Sequence, residues 1–162
     1  MKRAALLLAL ALPGCGLHPL YAGGGDGAVA SALAGVQVDA IEGKNGWLVA
    51  NALRDRFAAS GTPRYRLAVH LDDQIAGLGV RADDSVSRER RSLRARWQLI
   101  DAGSGTTLLD ATAGSDEGID VVRSEYATIA AENTALERLA DIVADQIAAR
   151  VALYAKRTPA RP

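Results

Sequence analysis

The chain has 162 residues, with acidic and basic side chains balanced at 19 each and aromatic residues at only 4%. That length makes one ordinary domain with room for a core of small and aliphatic side chains. The charge balance gives no support to nucleic acid as a partner, and the only two histidines, His18 and His70, lie too far apart in role and sequence for a histidine metal site.

Lys2 and Arg3 precede an apolar run from Ala4 to Leu12, and Gly14 stands before the single cysteine, Cys15. A basic start, a short apolar stretch and a small residue before a cut site describe a secretory signal peptide over residues 1–14. The run is far shorter than the ~20 residues a spanning helix needs. A cysteine directly after such a segment resembles the lipobox of bacterial lipoproteins. The resemblance implies cleavage before Cys15, lipid attachment at that residue, and, with Gly16 rather than aspartate next, sorting to the outer membrane. A lone cysteine cannot form an internal disulfide, which fits a lipidated role better than a structural one. Residues 15–35, with Gly23-Gly24-Gly25, are expected to be a flexible tether.

A single domain is expected over residues 36–157. Val36, Val38 and Ala40 alternate with polar residues and predict a short strand. After a turn at Gly43–Gly46, residues 47–60 predict a helix with Val49, Leu53 and Phe57 on one face, stopped by Gly61 and Pro63. Tyr65, Leu67, Val69 and Leu71 form the apolar side of a second strand that runs on towards Ile75. Gly77, Gly79 and Asp83-Asp84 predict a long hairpin loop. A third strand over residues 87–101 sets Leu93, Ala95, Trp97 and Leu99 on one side. A turn at residues 101–105 leads to a fourth strand over residues 106–115, and residues 116–123 read as a loop. The last element is a long helix capped by Ser124, with Leu136, Leu139, Ala140, Val143, Ile147 and Val151 on its inner face. Residues 158–162 are expected to be a disordered tail. The fold class is therefore α+β, an antiparallel sheet of about four strands with two helices packed on one face, in the order β-α-β-β-β-α. Trp47 and Trp97 are both expected in the core.

Candidate chemistry concentrates on one strand face. Arg88, Arg90, Arg94 and Arg96 share parity, opposite Leu93, Ala95 and Trp97, and Arg66 and His70 have polar parity on the preceding strand. Arginine offers a planar fork of donors suited to phosphate or carboxylate oxygens. The alternative is a solvated face neutralised by Asp72, Asp110 or Glu89. The pairs Asp72-Asp73 and Asp83-Asp84 lack metal-loop spacing, and Ser104 lies outside any nucleophile-elbow pattern. No cofactor and no catalytic residue is expected.

Four segments resemble one family. Cys15-Gly16-Leu17-His18-Pro19-Leu20-Tyr21 is similar to the mature start of the lipopolysaccharide-assembly lipoprotein family LptE. Residues 51–57 look like its first helix, Ser87-Arg88-Glu89-Arg90 like the opening of one of its strands, and Ser124-Glu125-Tyr126-Ala127 like the start of its last helix. The resemblance implies a non-enzymatic plug and assembly partner of the outer-membrane barrel LptD, anchored in the outer membrane by its N-terminal lipid and in contact with lipopolysaccharide. Two other readings stay open from the residues alone: a different periplasmic adaptor lipoprotein of a transport complex, and a small lipid-anchored hydrolase.

Overall fold

A computed structural model describes residues 28–57, 59–80 and 86–158. The signal segment, Cys15 and the glycine-rich part of the tether lie outside the described residues, as does the end of the C-terminal tail.

The elements, in chain order, are α1 (Ala28–Ala34), β1 (Val36–Val38), α2 (Gly43–Phe57), β2 (Tyr65–Val80), β3 (Val86–Asp101), β4 (Thr107–Asp120) and α3 (Glu125–Arg157). The class is α+β, as expected, with a four-stranded sheet ordered β1-β2-β3-β4. The sheet is mixed rather than antiparallel. β2, β3 and β4 form an antiparallel meander, but β1 pairs parallel to β2, with Val36 beside Tyr65 and Val38 beside Leu67. The crossover through α2 explains the difference, because a helix between two neighbouring strands returns the chain to the end from which it started.

Period-two alternation fixes which side of each strand is buried. Leu67, Leu93, Ala95, Trp97, Leu99 and Ala113 turn towards the helices and pack with Val49, Leu53 and Phe57 of α2 and with Leu136, Leu139, Val143 and Ile147 of α3. Alanines at 135, 140, 144, 148 and 152 are buried along α3, so that helix approaches the sheet closely with little side-chain bulk. Ser124 caps α3 by accepting the Ala127 N–H, as its position predicts.

Four details depart from the expected elements. Residues 28–34, expected within the tether, form α1, and Val29 and Leu33 join the core. The body therefore begins before Val36, and among the described residues helices on the packed face number three, two of them long. Trp47 is 62% exposed. The buried stripe of α2 starts instead at Gly46, where a Cβ would come within 2.6 Å of the Ile41 carbonyl oxygen, so the next residue must point outward. β2 runs to Val80 through Gly77 and Gly79. β4 runs to Asp120, through residues expected to form a loop. Ile119 is buried at that end of β4, and the alternate positions carry the ion pairs described below.

One charged pair lies on the helix side of the sheet. Arg91 grips Asp73 through two hydrogen bonds, at 2.8 and 2.6 Å, and donates a third to the Glu132 carbonyl of α3 at 2.9 Å. Both side chains are only 12% exposed. The Asp73 carboxylate, more than partial burial opposes it, holds the Arg91 pKa above its usual value. Removing one member leaves a largely buried charge without its counterpart. Arg91→Ala should lower stability by about 2–3 kcal/mol, measured by urea unfolding. Combining it with Asp73→Ala should cost clearly less than the sum of the two single changes.

Candidate functional site: the open face of the sheet

No described helix covers the other side of the sheet. The antiparallel registers bring three strands' polar positions together there. His70 lies beside Arg96, Asp72 beside Arg94 and Ala76 beside Arg90. On the other flank Arg96 lies beside Thr112, Arg94 beside Gly114, Arg90 beside Gly118 and Arg88 beside Asp120. The structure thus collects Arg88, Arg90, Arg94 and Arg96 on one exposed surface that spans nine residues of each of three strands. Arg66 shares the face at the far end of β2, next to β1.

Four of the five arginines have carboxylate partners. Arg96 pairs with Asp110 at 3.1 Å, Arg94 with Asp116 at 2.7 Å, Arg88 with Asp120 at 3.1 Å and Arg66 with Asp39 at 3.5 Å. Arg94 reaches Asp116 by lying across Gly114, where a Cβ would meet its Cδ at 2.5 Å. Its guanidinium also donates to the Ser115 carbonyl at 2.7 Å. Among the described residues Arg90 forms no ion pair. It stands opposite Gly118, and together with Leu78, Arg88 and Asp116 it lines an open groove of about 310 Å3.

Of the three expected neutralising acids, only Asp110 serves. Asp72 accepts from Gln74. Glu89 has the opposite parity, and its Oε2 is buried with no hydrogen-bond partner among the described residues. Asp116 and Asp120 were hidden by reading their segment as a loop. The signal was present as aspartate or glycine at positions 110, 114, 116, 118 and 120, a period of two that an apolar search passes over. Ser104 belongs to the β3–β4 turn, where its N–H and hydroxyl both donate to Asp101. Among the described residues no group of three or more acidic, histidine or cysteine side chains is placed to hold a metal.

Charge-assisted hydrogen bonds set the titration of this face. The Arg96 guanidinium, and then the Gln98 amide, hold the Asp110 pKa below the usual carboxylate range. The Ser92 hydroxyl and then Arg94 do the same for Asp116. A carboxylate whose folded pKa is depressed stabilises the fold above its unfolded value, ~3.9 for aspartate, and loses that contribution as pH falls through the folded value. Asp116→Asn should therefore lower the melting temperature at neutral pH, and the gap from wild type should close as the pH falls below the usual carboxylate range. Melts followed by circular dichroism at both pH values test this; a gap of equal size in acid would assign the loss to packing instead.

Chemically, the face is a row of forked donors with water-exposed counter-charges. Exposed ion pairs contribute little to stability, ~0–1 kcal/mol each, so an incoming phosphate or carboxylate can exchange with the resident aspartates at small cost. No described helix is long and apolar enough to cross a membrane.

The chain resembles solved lipoprotein structures. It is similar to a lipoprotein from Caulobacter crescentus at 27% identity and TM-score 0.70, covering 83% of this chain and 100% of that one. It shares its fold with a minor lipoprotein from Acinetobacter baumannii at 15% identity and TM-score 0.55, covering 78% and 94% of the two chains. Rare lipoprotein B from Shewanella oneidensis aligns at 12% identity and TM-score 0.53, over 75% and 95%. No curated protein matches the sequence. Residues 33–151, from α1 through most of α3, match the family described as LptE, lipopolysaccharide-assembly, and with that match spanning most of its length the chain belongs to the LptE family.

Proposed function

We propose that this protein is a lipid-anchored component of the outer membrane that plugs the lipopolysaccharide translocon barrel LptD, assists its assembly and offers the open face of its sheet to lipopolysaccharide. Membership of a lipopolysaccharide-assembly family supports the general role. The observation that carries the finer reading is the open face itself, five arginines with one, Arg90, free of any ion pair among the described residues and set beside a groove. Arginine forks match the phosphate oxygens of a phosphorylated glycolipid. In this reading Arg90 takes the first phosphate without displacing a partner. Arg88, Arg94 and Arg96 follow by releasing Asp120, Asp116 and Asp110 to water. Arg66, held at the β1 end, marks the limit of the face.

Dimensions favour the plug. β2 and β3 have 16 residues each, about 53 Å at strand rise. α3 has 33 residues, about 50 Å at helix rise. Both exceed the ~40–45 Å of a bilayer with its headgroups, so one body can extend the full depth of a membrane barrel. Attachment would come from acyl chains on Cys15, with the mature chain starting there. One chain holds a protein only marginally and two or more hold it stably.

Two measurements test this. The protein extracted in detergent should co-purify with LptD, and extraction as a lone monomer would reject the plug. Arg90→Ala should weaken lipopolysaccharide binding about tenfold, the loss of one charge-assisted contact, while urea unfolding shifts by no more than about 0.5 kcal/mol. Arg90, Arg94 and Arg96 changed together should abolish it. Unchanged binding by the triple variant would remove the basic face from the mechanism and leave the plug role standing.

A further inference from the structure

The two edges of the long meander are treated differently. At the β4 edge, the Gln146 side chain of α3 acts as a surrogate strand: its Oε1 accepts the Gly114 N–H at 2.9 Å and its Nε2 donates to the Gly114 carbonyl at 3.3 Å. Arg138 of α3 reaches over the same edge to Glu117 at 2.9 Å. Among the described residues the β2 edge has no such cover. β1 pairs with only Tyr65, Arg66 and Leu67, and its ladder ends where the Asp39 N–H donates to the Leu67 carbonyl at 3.0 Å. The Tyr65 N–H donates outward in the same way, to Gly35. Alternation then directs the N–H and C=O groups of Val69, Leu71, Asp73, Ile75 and Gly77 outward as well. None of these has a backbone partner on that side among the described residues. The bare stretch covers nine residues, ~30 Å at strand rise.

Edge strands are normally blunted by lysine, proline, bulges, inward-pointing charges or a covering element. β2 has neither lysine nor proline from Tyr65 to Val80. Its one inward charge, Asp73, is neutralised by Arg91. Beside the free groups the helix-side surface is apolar and incompletely covered: Val69 and Leu71 are half-buried, and Ile75 is exposed. On the open side stand His70, Asp72 and Gln74, all exposed.

We propose that the β2 edge from Val69 to Gly77 is a strand-addition site that takes an extended segment of the barrel protein, with apolar side chains alternating towards Val69, Leu71 and Ile75 and polar ones towards His70, Asp72 and Gln74. The proposal rests on the plug reading and specifies how the two proteins hold each other. β1 already occupies the same edge, so an added strand continues an existing ladder where the chain turns away into α2. A second copy of this chain fits worse. Antiparallel self-pairing over the whole bare stretch centres on Asp73 and crowds two Arg91-bound carboxylates at one cross-strand position, where an apolar residue of another chain packs without a charge to accommodate. The occupant is a segment inside the barrel, since the wall strands of a closed barrel have no free edge to offer.

Proline at an outward N–H position deletes only the edge donor and is tolerated in an edge strand. In the full-length lipidated protein co-expressed with the barrel protein, Ile75→Pro should reduce the recovered complex about tenfold, whereas Ile75→Ala, which keeps the N–H, should retain most of it. The amides of Leu71, Asp73 and Ile75 should exchange freely in the isolated protein and become protected in the complex. This second measurement needs no variant and stands even if Ile75→Pro fails to fold. A wild-type complex with these amides unprotected, or equal recovery of a folded Ile75→Pro protein, overturns the edge site while leaving the plug intact. Absence of any wild-type complex overturns both. Protection that rises with concentration in the isolated protein overturns the barrel segment in favour of a second copy.

Discussion

Strand β3 is hydrogen-bonded along both of its edges, to β2 on one side and β4 on the other. Its side chains can therefore leave only above or below the sheet, and each residue is committed to one side by parity. Leu93, Ala95, Trp97 and Leu99 go to the helices, all at 1% exposure or less. Arg88, Arg90, Arg94 and Arg96 must go the other way. The apolar core and the basic face are two consequences of one alternation. A one-residue slip would bury the arginines and expose the tryptophan, so the cost of burying charge fixes the register as firmly as the gain from burying Trp97.

Such a face carries a repulsion that the fold has to answer, because like charges on neighbouring positions destabilise a sheet. β4 supplies the answer. Asp110, Asp116 and Asp120 each sit within reach of one arginine, while Gly114 leaves space for the Arg94 side chain to cross the strand. These pairs lie in water and hold weakly. Weak, exposed pairing neutralises the free protein and still leaves the donors available to a more densely charged ligand. The Arg91–Asp73 pair on the helix side is different. It is largely removed from water and tied to an α3 carbonyl, so it acts as a clasp between helix and hairpin rather than as an exchangeable contact.

Much of this was readable in the residues where one periodicity was uncontested. The core stripes of β2, β3 and α3, the Ser124 cap and the shared parity of the four β3 arginines all follow from spacing. What escaped had specific causes. The parallel pairing of β1 is a property of the connection through α2, which strand alternation does not encode. Trp47 was assigned by residue type, but the close approach of Gly46 to the Ile41 carbonyl turned it outward. The end of β4 alternates glycine and aspartate, residues that signal loops when isolated; beside a row of arginines the same residues become the complementary strand. α1 is seven residues long, too short to show a period, and owes its place to Val29 and Leu33 packing on the other helices.

The packing of α3 links these features to the shape of the body. Five of its eleven buried residues are alanine, which lets the helix lie close against β3 and β4 and brings Gln146 within hydrogen-bonding distance of the β4 backbone. A bulkier face would lift the helix off the sheet and expose that edge. Among the described residues the same economy leaves no helix to spare for β2, because α2 is occupied with β1 and the neighbouring end of the sheet while α3 lies over β3 and β4. Among the described residues, one face charged and one edge bare is therefore what three helices leave over strands of this length. The surface left uncovered is set by the length of the hairpin relative to the helices available to pack on it.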